Sequence, residues 1–121
     1  MAKCLIFSNS GELLRVPCDS VVYISADGNY STLILANGSK HTVTLQLGQI
    51  EQKLSTTVGD GDNRFIRIGK SLIVNKDYIA YINPTKQKLV LSDYSTFRHE
   101  VAPSRESLKA LKEYLEKEES L

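Results

Sequence analysis

Short β-branched and aromatic segments, separated by turn-forming residues, run through most of the chain and constrain its fold more than any other feature. Val, Ile, Thr and the aromatic residues favour strands, whereas Gly, Pro, Asn and Asp favour the turns between them. This pattern predicts strands over residues 5–7, 13–16, 21–24, 30–35, 40–44, 65–68, 71–74, 78–82, 87–91 and 95–101. The chain is therefore predicted to be mainly β.

Asn37-Gly38 is the strongest local turn signal, because it lies between two of these predicted strands, 30–35 and 40–44. Asn-Gly favours a two-residue hairpin loop with a type I′ turn, in which both central residues have positive φ. We therefore predict a β-hairpin with this turn type.

Two segments have the spacing of an amphipathic helix, with apolar residues at i, i+3 and i+7. The first stripe is Leu47, Ile50 and Leu54, and the second is Leu108, Leu111 and Leu115. They predict a short helix over 45–54, capped by Thr42 or Thr44, and a C-terminal helix capped by Ser104. The polar segment 55–63, rich in Gly and Asp, is predicted to be a loop.

The length of 121 residues suits one domain, and no linker or internal repeat divides the sequence. We therefore predict a single domain over residues 1–121. The sequence shows no signal-peptide pattern and no apolar run near the length of about 18 residues that a membrane span needs. We expect a soluble, cytoplasmic protein with no membrane partner.

Residue types that carry catalysis or bind metals are sparse in this sequence. Neither His41 nor His99 has ligand-type spacing to the other or to Cys4 or Cys18. The Gly-rich segment 59–62 lacks the Lys and the Ser or Thr of a phosphate-binding loop. We predict neither an enzyme nor a bound metal or cofactor.

Positive charge is concentrated in one segment, although the formal net charge of the chain is only +1. Residues 64–112 contain ten Lys and Arg against four Asp and Glu, whereas 1–63 and 113–121 are net negative. A basic segment suits a polyanionic partner. The alternative is a solvated face on which charges happen to cluster.

Basic and polar side chains near predicted turns are the candidate binding residues. Lys70 follows Gly69 between two strands, and Arg105 opens the C-terminal helix, where a cation gains nothing from the helix dipole. Three more candidates follow the turn after a predicted strand: Asn29, Tyr30 and Ser31. All of these side chains can donate hydrogen bonds to phosphates or base edges, and the alternative for each is an ordinary solvated surface position.

Three blocks of the sequence resemble those of the LytTR DNA-binding domain. The blocks are 22–32 with Tyr23-Ile24 and Asn29-Tyr30, 65–75 with Arg67 and Val74-Asn75, and 104–109 with Ser104-Arg105. The central block is the most specific, and the resemblance covers about residues 17–115. It implies an elongated arrangement of small antiparallel sheets with one short helix and a C-terminal helix.

The resemblance also implies a transcription regulator that binds double-stranded DNA through loops rather than through a recognition helix. Family members commonly bind direct repeats in promoters, and a single small domain should bind weakly, so we expect a homodimer on DNA. The family's contact positions fall here at Asn29, Tyr30 and Ser31, at Gly69 and Lys70, and at Ser104 and Arg105, with Arg64 and Arg67 as phosphate contacts.

This sequence departs from the family pattern in two loops. The second loop reads Gly69-Lys70 where the family usually has His-Arg or His-Asn, and Ser31 stands where some members carry His. Lysine lacks the planar fork of arginine, so we expect lower base selectivity in the second loop.

A receiver domain or membrane helices usually precede a LytTR domain. We expect this chain to be a stand-alone regulator, and the alternative is a segment of a longer protein. The alternative function is a protein-interaction module that pairs with a partner regulator, through a β edge or the C-terminal helix, without binding DNA itself.

Overall fold

The computed structural model describes residues 3–59 and 63–119 of the chain. Within them the predicted mainly β fold is confirmed, with three antiparallel sheets and two α-helices. The strands are β1 (Cys4–Ser8), β2 (Leu13–Pro17), β3 (Val21–Asp27), β4 (Tyr30–Leu35), β5 (Lys40–Val43), β6 (Phe65–Ile68), β7 (Leu72–Asn75), β8 (Ile79–Asn83), β9 (Lys88–Ser92) and β10 (Arg98–Val101). The helices are α1 (Leu47–Val58) and α2 (Arg105–Glu119), and the chain divides into two compact units, Met1–Lys76 and Asp77–Leu121.

In the first unit, β1 and β2 form a hairpin, and five strands form a sheet of order β5-β4-β3-β7-β6. β3 lies at the centre and pairs antiparallel with both β4 and β7. Ile24 of β3 faces Leu33 of β4 and Ile73 of β7, and all three residues are at most 1% exposed. Burial of this row favours one register, because a slip by one residue would turn these side chains to the other face.

α1 differs from its prediction at both ends. It begins at Leu47, because the N-cap is Gln46 rather than a threonine, and Gln46 forms a reciprocal capping box with Gln49. It continues to Val58, one turn further than predicted, because Val58 extends the buried apolar stripe. The loop predicted over 55–63 is therefore wrong for residues 55–58. Residues 60–62 of that prediction lie outside the described part of the chain.

The hairpin predicted at Asn37-Gly38 is confirmed, but its predicted turn type is wrong. β4 and β5 pair across it, and Gly38 has φ of 90°. Among the described residues other than glycine, only Gln87 and Tyr94 have positive φ, so Asn37 does not adopt a type I′ conformation. Its side chain instead accepts a hydrogen bond from the Ser39 N–H at 2.9 Å, which stabilises the turn.

The second unit consists of a sheet of order β10-β9-β8 and α2. Four of its leucines are at most 4% exposed: Leu89, Leu91, Leu108 and Leu111. The predicted C-terminal helix is therefore confirmed, with the first two residues of its leucine stripe buried. Ser104 caps it as predicted, since the Ser104 Oγ accepts a hydrogen bond from the Ser107 N–H at 3.1 Å.

A loop organised by Asp93 replaces the first part of the last predicted strand. Asp93 Oδ1 accepts hydrogen bonds from the N–H groups of Ser95 at 2.9 Å, Thr96 at 2.7 Å and Phe97 at 3.1 Å. Its Oδ2 accepts one from the Thr96 hydroxyl. Because these amides are satisfied by a side chain rather than by a neighbouring strand, β10 begins at Arg98 and not at residue 95.

Ile50→Ala is expected to lower the free energy of unfolding by about 2–5 kcal/mol, because Ile50 is 0% exposed in the core beneath α1 and its truncation leaves a cavity. The control Gln52→Ala, on the exposed side of the same helix, is expected to change it by less than about 0.5 kcal/mol. Urea unfolding followed by circular dichroism measures both. Equal effects of the two substitutions would contradict the packing described for α1.

The Thr96 hydroxyl and three backbone amides hold the pKa of Asp93 well below its ordinary value of about 3.9. Because the native pKa is depressed, ionised Asp93 stabilises the fold fully above its unfolded pKa, and this contribution is lost as the pH falls below that value. Asp93→Asn should therefore lower the thermal unfolding temperature at neutral pH. The difference from the wild type should shrink from about pH 4 to about pH 2, and a constant difference would refute this account.

Candidate nucleic-acid interface

Two of the three predicted reading loops lie at the same end of the five-stranded sheet. The turn at 28–29 joins β3 to β4, and the turn at 69–71 joins β6 to β7. Ala26 N, near the end of β3, donates a hydrogen bond to Ser71 O, just before β7, at 2.9 Å. The end of β3 therefore lies beside the start of β7, and the two turns meet at one end of the sheet, which we call the loop edge (residues 28–31 and 69–71).

The first turn presents polar side chains to solvent. Gly28 has φ of 64°, a left-handed conformation that glycine adopts without strain. Asn29 and Tyr30 follow it and are exposed, Tyr30 to 50%. Gln46, at the start of α1, donates from its Nε2 to Asn29 Oδ1 at 3.4 Å. This contact uses the acceptor of the Asn29 amide and leaves its Nδ2 group to donate to a partner.

Ser31 differs from its neighbours because its side chain is buried. It is 0% exposed, and its hydroxyl donates to Leu45 O at 2.8 Å. Successive side chains of a strand point to opposite faces, so Ser31 points inward where Tyr30 points outward. This position does not fit a direct contact between the Ser31 side chain and DNA. It fits a positioning role, because the hydrogen bond ties the segment before α1 to the first turn.

Arg67 braces the second turn. Its guanidinium donates from Nε to Gly69 O at 3.2 Å and from Nη2 to Lys70 O at 3.1 Å. Its Nη1 donates to Glu51 Oε1 of α1 at 3.0 Å. A guanidinium has five N–H donors in a rigid fork, so it can hold both carbonyls of the turn against the helix and keep two donors for another partner.

Lys70 is the exposed cation of the second turn. Gly69 before it has φ of 62°, which lets the chain reverse between β6 and β7. The Lys70 side chain is exposed, and its ammonium group makes no hydrogen bond or ion pair within residues 3–59 and 63–119. It can therefore bind an anionic partner without giving up a contact in the folded chain.

Arg64 lies at the opposite end of the same sheet. Its backbone O accepts a hydrogen bond from Lys76 N at 2.7 Å, and its guanidinium pairs with Asp19, which precedes β3. β3 runs from that end to the loop edge. The structure therefore does not bring Arg64 together with Gly69 and Lys70.

The third predicted loop belongs to the second unit. Ser104 is the N-cap of α2, and its hydroxyl interacts with both the N–H and the hydroxyl of Ser107. Arg105 is exposed, and it makes no hydrogen bond or ion pair in the described part of the chain. It stands in the first turn of the helix, where the dipole disfavours a cation. An anion bound there would offset this repulsion.

Two supporting residues, Gln46 and Glu51, were not predicted from the sequence. Gln46, the N-cap of α1, contacts the first turn, and Glu51 in α1 contacts Arg67, which braces the second turn. Gln46 and Gln49 have the spacing of a capping box, so the sequence did contain a signal for this helix start. No pattern connects Glu51 with Arg67, because the two residues are 16 positions apart and meet only when α1 packs on the sheet.

The exposed groups at these loops are mainly hydrogen-bond donors. In the described ranges, no group of three His, Cys, Asp or Glu side chains is placed to hold a metal ion. No helix in the described part of the chain is long and apolar enough to cross a membrane. Exposed Lys, Arg and Asn side chains on turns suit contacts with phosphates and base edges.

Arg67→Lys is expected to loosen the second turn without unfolding the chain, because one ammonium group cannot reach two carbonyls and Glu51 together. In ¹⁵N relaxation, the order parameters of Gly69 and Lys70 should fall from about 0.85 toward about 0.6. Arg98→Lys, at an exposed arginine of the other unit, is the matched control and should leave them unchanged. Unchanged order parameters in Arg67→Lys would show that Arg67 does not brace the turn.

Comparison with known proteins bears on both the sequence and the fold. A family model described as the LytTr DNA-binding domain matches residues 11–116. Among solved structures, the chain is similar to the LytTr DNA-binding domain of a protein described as a methyl-accepting/DNA response regulator from Bacillus cereus. The sequence identity is 22%, the match covers 95% of this chain and 98% of that chain, and the TM-score is 0.64, which supports the fold. No curated protein matches the sequence.

The family match extends over most of the chain and includes all three blocks that carry the resemblance in the sequence. Two of the blocks contain the turns of the loop edge, and the third contains the start of α2. The chain therefore belongs to the LytTR family of DNA-binding domains.

Proposed function

We propose that this DNA-binding domain is a transcription regulator that recognises direct repeats in promoter DNA through its loops. The observation that carries the proposal is the loop edge. There, β3 places two glycine turns side by side, and they carry the exposed side chains of Asn29, Tyr30 and Lys70. Loops held in this way can enter a groove without a recognition helix.

Lys70 and Arg105 are the proposed contacts to base edges, together with Asn29 and Tyr30. Cationic side chains match the O6 and N7 acceptors of guanine, and the Nδ2 group of Asn29 can donate to a base acceptor such as adenine N7. Gly69 and Ser104 act by shaping the local chain rather than by contacting a base. Gly69 permits the positive φ of its turn, and Ser104 caps α2 next to Arg105.

Arg64 and Arg67 are the proposed phosphate contacts. Arg67 has two N–H donors left after bracing the second turn, so it can hold a phosphate beside the bases that Lys70 reads. Arg64 would exchange its exposed partner Asp19 for a phosphate at the other end of the sheet. Ser31 supports the first turn from the interior and is not assigned a contact.

A homodimer on DNA is part of the proposal. Two copies of a small domain on one direct repeat double the phosphate contacts, and each phosphate contact adds affinity through counterion release. The alternative is a protein-interaction module, in which the chain pairs with a partner regulator and does not bind DNA itself.

Selection of binding sites from a random duplex library with the purified chain is expected to enrich a direct repeat. With about four phosphates neutralised, log K should fall with log salt with a slope of about −3.6. Lys70→Ala and Arg105→Ala should each weaken binding to the enriched site by about 1–3 kcal/mol and relax the selected sequence.

Lys86→Ala is the matched control, because it removes the same charge from an exposed turn outside the proposed loops. It should leave the selected sequence unchanged. If no motif is enriched even at low salt, the isolated chain does not read DNA, and the protein-interaction module becomes the better account.

A further inference from the structure

The second unit contains an open groove of about 770 Å³ on one face of its three-stranded sheet. Val90 is at its centre, since it pairs with Tyr81 of β8 on one side and with Glu100 of β10 on the other. The neighbouring residues of β9, Leu89 and Leu91, point to the opposite face and are 0% exposed. The groove therefore occupies a sheet face that the unit's own leucine core does not use.

Tyr94 lines this groove in an uncommon backbone conformation. Its φ is 63°, in the left-handed region that bulky residues rarely occupy, and it is 83% exposed. The loop built around Asp93 carries it, and its hydroxyl donates to Ala80 O in β8 at 3.3 Å. Ala80 is the extra residue where the pairing shifts from Ile79 to Tyr81. Strained backbone at an exposed aromatic residue is a feature of functional sites.

The charged side chains that line the groove are cations. Lys88 and Arg98 both line it, and both approach the same Glu100 Oε1, at 3.7 Å and 3.4 Å. The Asp93 carboxylate lies in the adjacent loop, where three amides and the Thr96 hydroxyl satisfy it, so the charged residues in the lining itself are the two cations. Tyr81, whose hydroxyl accepts a hydrogen bond from Asn83 Nδ2 at 3.0 Å, is 46% exposed.

We propose that this groove binds a small aromatic anion. The ring would lie over Val90 between Tyr81 and Tyr94, and its carboxylate or sulfonate would lie between Lys88 and Arg98. The volume is within the range of about 300–1,000 Å³ that is usual for ligand sites, which combine apolar walls with a few polar groups. No residue that lines the groove is a proposed DNA contact, so this inference stands independently of the proposed function.

Different features of the groove favour the two parts of the proposed ligand, its negative charge and its aromatic ring. The two cations that line the groove favour an anion over a neutral ligand. The two exposed tyrosine rings favour a flat aromatic group, since stacked or edge-to-face aromatic pairs gain more than their buried area alone.

The test uses 1-naphthoate, titrated into the ¹⁵N-labelled full chain and followed through amide chemical shifts. We expect saturable shifts at Ala80, Val90 and Thr96 with a Kd of about 1 mM, the affinity that a ligand of this size reaches in an open site. Neutral 1-naphthalenemethanol has the same ring and should bind about three-fold more weakly. No saturable shift at these amides, or equal binding of the two compounds, overturns the proposal.

Tyr94→Gly removes the ring and also relieves the backbone, because glycine adopts φ of 63° without strain. The variant should remain folded and bind 1-naphthoate about five-fold more weakly. Gln87→Gly makes the same kind of change at φ of 51°, outside the groove, and should leave the affinity unchanged.

Arg98→Gln should weaken the binding of 1-naphthoate by up to about five-fold and leave the binding of the neutral compound unchanged. Lys86→Gln is its control. Thermal unfolding shows that each variant is folded before it is titrated. If Tyr94→Gly and Arg98→Gln both bind 1-naphthoate like the wild type, the compound binds elsewhere and the proposal is wrong.

Discussion

The pairing of β3 with two antiparallel neighbours determines the geometry of the first unit. It buries Ile24 between Leu33 and Ile73, and a slip by one residue would place Tyr23 or Ser25 in this row instead. The same pairing sets the end of β3 beside the start of β7. The register that buries the core row is therefore also the one that brings the two turns of the loop edge together.

α1 and its N-cap hold the two turns of the loop edge in place. Its buried stripe, which includes Ile50, anchors it to the core. Its N-cap residue Gln46 contacts the first turn, and its exposed Glu51 contacts Arg67, which braces the second turn. A loop that is already ordered loses less conformational entropy on binding. The helix thus contributes to recognition without entering a groove, because it holds the turns that do.

The strands could be predicted from the sequence because β-branched residues and turn residues act locally, whereas several features of the site depend on contacts that local patterns do not contain. The burial of Ser31 follows from the two-residue period of β4, but the nearby turn chemistry obscures it. Val58 looks like part of a polar loop until the core beneath α1 is known. The late start of β10 arises from the Asp93 carboxylate, which takes up amides that strand propensity assigns to a ladder.

The positions of the basic residues could be predicted from the sequence, but which of them pair with a carboxylate could not. Arg64 and Arg67 have carboxylate partners, Asp19 and Glu51, whereas Lys70 has none in the described residues. Exposed ion pairs contribute only about 0–1 kcal/mol, so a phosphate can replace Asp19 at little cost. Arg67 can hold a phosphate with its two remaining donors and keep Glu51.

Discrimination between bases has a different physical origin from affinity. The Lys70 ammonium is a point charge that any acceptor can satisfy, whereas the Asn29 amide offers one donor group and one acceptor in fixed positions. Gln46 already holds the acceptor of that amide, at 3.4 Å, and so limits the ways in which Asn29 can turn toward a base. We therefore expect sequence preference at the loop edge to depend more on Asn29 and its contact with Gln46 than on the charged Lys70.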